Sequence, residues 1–377
     1  MNDKAKEELN ILRGKIDAID KNIIVQFVDR MEAAEAVANV KRTNNIAILD
    51  ETREQEVVDA ACESVDSELK GEVALLMRSV MALSREYQRT LMFTNDVQML
   101  PDAAAPKTSE VKCAFQGARG AWSEQATVSL FPEAERFAVD FFEDVFIAVK
   151  EGKADYGIIP LENSQTGAIG ENYDLLKKYG CFIVKKTWID IRHCLLANPA
   201  ASIGDIKEVY SHPEGFKQSH NFLMKHNWDQ MTTTNTAVAA ETVAKDKDIH
   251  KAAIGSRLAA EYNGLNVLVE DIMDSDKNKT SFVVIAKKPE YTTEDNLTSV
   301  TFSLAHRSGA LCETLLPFMA GDINLSKIES RPANTPGEYR FFTEVQGNIL
   351  DEKVIDTLRH AAATCQYFEV LGCYSQV

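Results

Sequence analysis

Apolar residues recur at helical spacing through residues 7–42, from Leu9 to Val37, and no proline interrupts them. This periodicity predicts one amphipathic helix, much longer than the usual three turns. Similar patterns predict a second helix over about residues 49–64 and a third over about residues 67–90. Three helices, one of them so long, cannot easily cover all of their apolar surface in a compact monomer. We therefore expect this region to dimerise.

The pattern changes after residue 93. Residues 94–110 contain Pro101, Pro106 and little periodicity, which is typical of a linker. Over residues 111–288, short β-rich runs alternate with helical stretches, which predicts an α/β fold with mainly parallel sheets. The predicted strands are 111–115, 156–159, 182–187, 193–197, 252–254 and 282–286. The predicted helices are 123–130, 142–151, 172–179, 215–226, 236–244 and 256–263.

A polar stretch over residues 289–296 marks a second boundary, and the last domain covers residues 297–377. Its elements follow the order strand, helix, strand, strand, helix, strand, which is the ferredoxin-like α+β arrangement. They are predicted at 299–305, 310–320, 324–331, 339–344, 352–363 and 367–374. The chain is thus predicted to combine an all-helical domain over residues 1–93 with an α/β domain and an α+β domain.

Composition and charge narrow the possible functions. A length of 377 residues predicts two or three domains, and a net charge of −16 argues against nucleic-acid binding, which needs a basic patch. An anionic ligand would require local clusters of Arg and Lys. No apolar run is long enough for a membrane span, the N-terminus is polar, and the seven cysteines are scattered. We therefore expect a cytoplasmic protein with free thiols, no membrane partner and no metal site.

Charged and amide side chains are grouped on the three predicted helices. They are Arg13, Arg30, Lys41, Asp50, Arg53, Glu54, Ser84 and Gln88. Arg13 and Arg30 are about 25 Å apart along a helix, so one chain cannot present both to the same small molecule. A second copy of the long helix, crossing the first, can bring Arg13 to the site. The alternative for any one of these charges is a solvated position on a coiled coil.

The run from Leu12-Arg13 to Ile19-Asp20, followed by Arg30, Val40-Lys41 and Asp50-x-x-Arg53-Glu54, resembles the all-helical chorismate mutase family. That family forms an intertwined dimer and rearranges chorismate to prephenate by a pericyclic shift. The resemblance implies that Arg30, Arg53 and Arg13 of the partner subunit hold the two carboxylates. It also implies that Lys41 and Gln88 donate to the ether oxygen. Asp50 and Glu54 would position the hydroxyl and enolpyruvyl groups, and Ser84 would support carboxylate binding.

Four short motifs in the α/β region combine glycine with hydroxyl and amide side chains. Gly117-Ala118-Arg119-Gly120 lies between a strand and a helix that Ser123 can cap, and its glycines would let the backbone approach a ligand. The run G-x-G-x-x-G is absent, so no NAD is expected. The other motifs are Pro160-Leu161-Glu162-Asn163-Ser164-x-x-Gly167, Ser211-His212-Pro213 and Asn278-Lys279-Thr280-Ser281-Phe282. Each alone has a structural explanation as a turn, a helix cap or an edge strand.

Together, in this order, the four motifs resemble the prephenate dehydratase family, which has two α/β lobes like those of periplasmic binding proteins. The resemblance implies loss of CO₂ and water from prephenate, with Thr280 helping the hydroxyl to leave. It also implies a cleft lined by Ser123, Asn163, Ser164, Thr166, Gly167, Ser211 and His212.

Two positions depart from that family. Ser281 stands where the family usually has Arg, which leaves carboxylate binding to Arg119, Lys279 or helix N-termini. Glu214 stands where the family usually has Gln, and a carboxylate suits a cation. Arogenate, which carries an additional ammonium group, therefore stays open as an alternative substrate.

The C-terminal motifs Ser308-Gly309-Ala310-Leu311 and Ile328-Glu329-Ser330-Arg331-Pro332 resemble the phenylalanine-sensing type of ACT domain. The resemblance implies an allosteric phenylalanine site formed by Gly309, Ala310, Leu311, Glu329, Ser330 and Arg331. The alternative is an α+β domain used only for dimerisation.

These resemblances predict an enzyme that converts chorismate to prephenate and then to phenylpyruvate under feedback inhibition by phenylalanine. Neither reaction requires a metal or an organic cofactor. We expect a homodimer or a higher homo-oligomer. The alternatives are a mutase fused to an arogenate dehydratase, a mutase fused to a catalytically weak ligand sensor, and a helical interaction protein.

Overall fold

The computed structural model describes residues 3–92, 99–332 and 339–377. The chain divides into two compact units. The first contains Met1–Gln98, Leu304–Gly321 and Asp356–Gln366, and the second contains Met99–Ser303, Asp322–Ile355 and Tyr367–Val377. Residues 94–98 of the predicted linker lie outside the described residues.

The first unit begins with helices α1 (Asp3–Asn44), α2 (Glu51–Glu63) and α3 (Lys70–Met92), and a 3₁₀ turn at Ser67–Leu69 precedes α3. This confirms the three predicted helices. The 42 residues of α1 span about 63 Å at 1.5 Å per residue. More than half of the surface of Leu12, Ile16, Ile19 and Ile23 is exposed in this single chain. The apolar stripe of the long helix is therefore uncovered, as its length predicts.

Residues 112–286 form eleven strands and seven helices within the second unit. In chain order they are β1 (Lys112–Gln116), α4 (Trp122–Leu130), β2 (Glu135–Val139), α5 (Phe142–Glu151), β3 (Tyr156–Asn163), β4 (Gly167–Ala168), α6 (Gly170–Tyr179), β5 (Phe182–Asp190), β6 (Cys194–Ala197), β7 (Glu208–Ser211), α7 (Pro213–Gln218), α8 (His220–Leu223), β8 (Asp229–Thr232), α9 (Thr236–Asp246), β9 (Lys251–Gly255), α10 (Arg257–Asn263), β10 (Asn266–Val269) and β11 (Lys279–Ala286). All six predicted strands are present. The short strands β2, β4, β7, β8 and β10 were not predicted, and the predicted helix 215–226 is divided into α7 and α8.

These strands form two sheets, with the orders β2-β1-β3-β11-β5 and β10-β6-β9-β7-β8. The chain leaves the first sheet after β5 and returns to it with β11, so two lobes are joined by two crossings. The prediction of mainly parallel sheets is wrong. β11 runs antiparallel to both β3 and β5, and β6 runs antiparallel to β9 and β10. The returning strand enters between two strands that run the other way, which a local pattern cannot reveal.

The C-terminal region contains β12 (Leu297–Ser303), α11 (Ala310–Ala320), β13 (Leu325–Pro332), β14 (Tyr339–Gln346), α12 (Glu352–Thr364) and β15 (Tyr367–Tyr374). Its sheet has the order β13-β14-β12-β15 and is antiparallel throughout. The ferredoxin-like order is therefore confirmed. Strand β15 lies so close to β5 that a Cβ atom at Gly372 would collide with the carbonyl oxygen of Ile183.

Within the second unit, residues 99–110 have no regular secondary structure but are held by hydrogen bonds. Ala104 N donates to the Pro289 carbonyl at 2.8 Å, and Lys107 N donates to the Tyr156 hydroxyl at 2.9 Å. All seven cysteines are free thiols. Among the described residues, no helix is long and apolar enough to cross a membrane.

Candidate active sites

Helices α1 and α3 bring Arg30 and Ser84 together. Arg30 Nη1 donates to Ser84 Oγ and, at 3.4 Å, to the carbonyl of Val80. Ser84 and Gln88, one turn apart, are both buried on α3. Burial lowers the pKa of Arg30, although the nearby charge of Glu54 opposes this effect. A guanidinium whose hydration is reduced by partial burial is a good partner for a carboxylate ligand.

Glu54 on α2 accepts hydrogen bonds from Arg85 on α3 through both of its carboxylate oxygens. Arg85 is buried, and its Nε also donates to Glu313 on α11 at 3.0 Å. The sequence patterns missed Arg85, because one arginine beside Ser84 on a charged helix carries no distinguishing signal. The structure therefore brings together Arg30, Glu54 and Ser84 from the predicted set and adds Arg85 to them.

The other predicted helical residues have different surroundings. Lys41 Nζ donates to the Ile48 carbonyl and so closes the turn between α1 and α2. Asp50 caps α2, because its Oδ1 accepts from Arg53 N at 3.0 Å. The Arg53 side chain is mainly exposed and pairs with Glu56 at 3.1 Å. Arg13 lies on the exposed first half of α1 and has no partner among the described residues. Arg13 and Arg53 are not brought to Arg30 within one chain.

The two α/β lobes enclose a cavity of about 380 Å³, which is within the usual range for small ligands. Four predicted residues line it: Ser123, Asn163 and Thr280 from the first lobe, and His212 from the second. None of its described lining residues is Lys or Arg. The first turns of α4 and α9 border the cavity, and backbone N–H groups at helix N-termini attract anions.

A chain of hydrogen bonds sets the orientation of the Thr280 hydroxyl. The backbone N–H groups of Gln165 and Thr166 donate to Asn163 Oδ1 at 3.0 and 3.1 Å. The amide nitrogen of Asn163 must therefore be the donor to Thr280 Oγ1 at 2.9 Å and to Asn278 Oδ1 at 2.9 Å. Because Thr280 accepts from Asn163, its own O–H hydrogen is available to donate elsewhere.

The same chain continues into the second lobe. Asn278 Nδ2 donates to Gln218 Oε1 at 2.9 Å, and this oxygen is also 2.9 Å from His193 Nε2. His193 must then carry its proton on Nε2. Burial lowers the pKa of His193, so the ring is neutral, and its Nδ1 has no donor among the described residues. The sequence motifs had not assigned His193, Gln218 or Asn278 to the site, although Asn278 lies two residues before Thr280.

Four residues predicted to line the cleft are not among those that line the cavity. Ser164 is exposed and ties the chain together, accepting from Lys279 N at 3.0 Å and donating to the Lys277 carbonyl at 2.9 Å. Thr166 and Gly167 form the exposed turn between β3 and β4, where Gly167 has φ +82°. Ser211 is buried beneath Gly215, at which a Cβ atom would collide with Ser211 Oγ.

In the structure, Gly120 and the Ser123 side chain do not have the roles that the sequence predicts for them. Gly120 is approached by helix α10 and not by open ligand space, since a Cβ atom there would lie 2.5 Å from Ala259 Cα. Its carbonyl accepts from Ser256 Oγ at 2.7 Å, which joins the two lobes. Ala121, not Ser123, is the N-cap of α4, and no side chain caps this helix. Ser123 lies in the first turn and lines the cavity.

The two departures from the dehydratase pattern have different surroundings, Ser281 on β11 and Glu214 on α7. Ser281 points away from the cavity toward the C-terminal sheet, beside Lys186 and Lys327, because successive strand residues alternate between faces. The missing arginine therefore removes no cation from the cavity. Arg119 lies over the Tyr262 ring and Lys279 pairs with Asp190 at 3.1 Å, so neither replaces it. Glu214 does line the cavity, and its buried Oε2 has no donor among the described residues.

The predicted sensor residues are distributed over both units. Gly309 has φ +79° and occupies the N-cap position of α11, directly before Ala310 and Leu311 in the first unit. Glu329, Ser330 and Arg331 lie on β13 in the second unit. Arg331 pairs with Asp174 at 3.2 Å and covers Gly170, where a Cβ atom would meet its guanidinium.

His212 caps helix α7, which is the structural explanation that the sequence also allowed for this residue. Its Nδ1 accepts from Glu214 N at 3.1 Å at the start of α7, and the ring also lines the cavity. Within residues 3–92, 99–332 and 339–377, no group of His, Cys, Asp and Glu could hold a metal ion.

Comparison with known proteins gives two family matches. Residues 113–290 match the prephenate dehydratase family, and residues 12–89 match chorismate mutase type II. The bifunctional chorismate mutase/prephenate dehydratase of Enterobacter agglomerans is 30% identical over 376 residues, which cover 96% of this chain and 95% of that protein.

Two further similarities each cover about 70% of the chain. Arogenate dehydratase/prephenate dehydratase 2 of Arabidopsis thaliana is 36% identical over 278 residues, which cover 71% of this chain and 73% of that protein. The crystal structure of prephenate dehydratase from Arthrobacter aurescens in complex with L-Phe is 30% identical, with a TM-score of 0.65. It covers 70% of this chain and 90% of that one.

Proposed function

The chain belongs to the family of bifunctional chorismate mutase/prephenate dehydratases, and from this premise we propose which of its residues carry each reaction. The enzyme rearranges chorismate to prephenate in its helical domain and converts prephenate to phenylpyruvate between the α/β lobes. The observation that carries the residue assignment is the oriented Thr280 hydroxyl in a cavity bordered by helix N-termini.

In the mutase site, Arg30 binds one substrate carboxylate and Ser84 supports it. The hydrogen bond between the half-buried Arg30 and the buried Ser84 supports this assignment. Arg53 and Arg13 of the partner subunit complete the carboxylate binding, and Glu54 and Asp50 position the hydroxyl and enolpyruvyl groups. Lys41 and Gln88 donate to the ether oxygen, which gains negative charge as the C–O bond stretches. The rearrangement needs no nucleophile, so holding the reactive conformer and stabilising charge account for catalysis.

The homodimer is part of this proposal. The exposed stripe of α1 includes Leu12, Ile16 and Ile19, and a second copy of the helix would cover it. The same crossing would carry Arg13 to the partner's site, because Arg13 and Arg30 are too far apart on one helix to share a ligand.

In the dehydratase site, the first turns of α4 and α9 bind the substrate carboxylates through backbone N–H groups. Decarboxylation releases CO₂, and the electron pair of the broken C–C bond enters the ring. The C4–O bond breaks as the ring becomes aromatic. The departing hydroxide takes a proton and leaves as water. Thr280 donates its O–H to this oxygen, because Asn163 already occupies the acceptor side of the Thr280 hydroxyl.

Arogenate is a second candidate substrate for the same cavity. Glu214 Oε1 lies 3.7 Å from Lys217 Nζ, but its buried Oε2 has no donor among the described residues, and this oxygen favours a ligand that brings an ammonium group, as arogenate does. A similar plant protein is named for both arogenate and prephenate dehydratase activity. The chain's own mutase supplies prephenate directly, so prephenate is the first candidate.

Phenylalanine binds at the C-terminal domain and inhibits the enzyme by feedback. The positive φ of Gly309 supports this role, because a residue without Cβ lets the charged ends of an amino acid approach the backbone. A similar solved dehydratase contains L-Phe. Ala310, Leu311, Glu329, Ser330 and Arg331 complete the proposed site. A coupling of about 1–3 kcal/mol between this site and the cavity is the usual size for such regulation.

The proposed functional regions are a mutase over residues 1–93, a linker over 94–110, a dehydratase over 111–288 and a sensor over 297–377. A cytoplasmic location agrees with the free thiols.

The decisive experiment supplies the purified chain with chorismate and follows prephenate and phenylpyruvate separately. We expect both to form in sequence, and added phenylalanine to slow the second step. Prephenate that accumulates without phenylpyruvate would confine catalysis to the helices and leave the α/β lobes as a ligand sensor. No product from chorismate would refute the mutase assignment.

A further inference from the structure

Helix α11, which belongs to the C-terminal region in sequence, places a buried carboxylate among three arginines of the first unit. Glu313 Oε1 is 3.0 Å from both Arg85 Nε and Arg89 Nη1, and its Oε2 pairs with Arg307. Only 4% of the Glu313 side chain is exposed. A buried carboxylate with several charge-assisted hydrogen bonds is held in one geometry, and removing it leaves arginines without compensation.

Arg85 connects Glu313 to the helical site by hydrogen bonds. Its Nε donates to Glu313 while its Nη1 donates to both oxygens of Glu54. The guanidinium group is planar and rigid, so fixing Nε on one carboxylate fixes the direction of Nη1 toward the other. Arg85 is itself buried, which leaves little freedom for water to replace either partner.

Glu54 then stands between Arg85 and the Arg30–Ser84 pair. The charge of Glu54 acts on Arg30, and Arg30 donates to Ser84. Hydrogen bonds therefore run from Glu313 through Arg85 to Glu54, and the charge of Glu54 extends this series electrostatically to Arg30. The series joins α11, α3, α2 and α1.

We propose that Arg85 and Glu313 are positioning residues of the mutase site, so that a helix of the C-terminal region helps to set the carboxylate of Glu54 for chorismate. This inference rests on the proposed role of Glu54 in the mutase reaction. The C-terminal region is then a structural part of the first active site as well as a sensor. A shift of α11 would therefore move the Glu54 carboxylate through the Arg85 side chain.

The first test is the variant Glu313→Gln in the full chain, which keeps the shape of the side chain but removes its charge. Without phenylalanine, we expect the mutase kcat/KM to fall at least tenfold, while dehydratase activity on added prephenate stays within twofold. The matched control is Asp356→Asn. It removes a carboxylate from an exposed ion pair with Arg359 in the same unit and should leave both activities unchanged.

A double-mutant cycle separates positioning from general stabilisation. If Glu313 acts through Glu54, Glu313→Gln should cost less than twofold when Glu54→Gln is already present. Equal effects in both backgrounds would overturn the proposal. So would an unchanged mutase in Glu313→Gln, or a parallel loss of both activities. An unmodified chain without mutase activity would instead refute the proposed function.

Discussion

Glu86 on α3 carries a carboxylate whose buried oxygens have no hydrogen-bond donor among the described residues. The nearest ionisable side chains are Arg89 at 3.9 Å, His360 on α12 at 3.8 Å, and Glu313. Burial raises the pKa of Glu86 from 4.5 to about 7, against the opposing attraction of Arg89. Glu86 is therefore neutral in the folded chain over a pH range in which the unfolded chain has it charged.

The direction of the pH effect follows from proton binding. Between pH 4.5 and about 7 the folded state holds a proton that the unfolded state has lost, so stability falls as the pH rises. A pKa raised from 4.5 to about 7 corresponds to about 3 kcal/mol, at about 1.4 kcal/mol for each tenfold change in proton affinity. Partial solvent screening reduces the expected effect between pH 5 and pH 8 to about 2 kcal/mol.

The variant Glu86→Gln should remove this pH dependence. Relative to the unmodified chain, we expect it to be about 2 kcal/mol more stable at pH 8 and nearly equal at pH 5. Hydrogen exchange of the backbone amides of α3, corrected for intrinsic rates, measures the opening free energy of this helix without assuming two-state unfolding of the whole chain. About 2 kcal/mol is roughly a 30-fold change in protection.

The control is Glu72→Gln, which removes an exposed carboxylate from the first turn of the same helix. Its effect on protection should not vary between pH 5 and pH 8. A Glu86→Gln effect that is equally large at both pH values would refute the reasoning. A loss of protection at pH 8 would refute it as well, because it would mean that the charged form stabilises the fold.

The remaining predictions concern the two reactions and the contact between the lobes. Thr280→Val should lower dehydratase kcat by about 100-fold or more, while Thr280→Ser keeps most of it and the mutase is unchanged, as phenylpyruvate formation from added prephenate would show. Lys41→Ala should abolish prephenate formation from chorismate but spare the dehydratase, and equal loss of both activities would contradict separate sites. Glu214→Gln should lower kcat/KM for arogenate about tenfold relative to prephenate, and an unchanged ratio would remove the carboxylate from substrate choice. Gly120→Ala should destabilise the closed lobes by about 2–3 kcal/mol, because its Cβ meets Ala259 Cα at 2.5 Å. Dehydratase activity and melting temperature should fall while mutase activity persists, and an unaltered melting temperature would be the contrary result.

Local periodicity was sufficient for most secondary structure. The long helix, the two shorter helices and all six elements of the C-terminal region lie where the pattern of apolar residues predicts them. Short strands such as β8 were missed, since all four of its residues are exposed and carry no alternation. The division of the predicted helix 215–226 at Ser219 also lacked a local signal.

Motifs supplied the candidate residues of both proposed sites but not which side chains meet. Asn163 and Thr280 are 117 residues apart, and only the pairing of β3 with β11 makes them neighbours. The same pairing turns Ser281 away from the cavity. The replacement of the family's arginine by Ser281 therefore removes no cation from the cavity. Of two other residues that fit the motifs equally well, Ser164 hydrogen-bonds to the backbone of Lys277 and Lys279, and Ser211 is buried beneath Gly215.

The sequence by itself determined the domain order, the helices and strands of each domain, and the candidate residues, because these depend on spacing between near neighbours in the chain. Only the tertiary structure decided that Arg85 joins Glu54 to Glu313, and that His193, Gln218 and Asn278 are hydrogen-bonded in series to the Asn163–Thr280 pair. These contacts connect residues from distant elements. Their geometry depends on strand order and helix packing, which no local pattern contains.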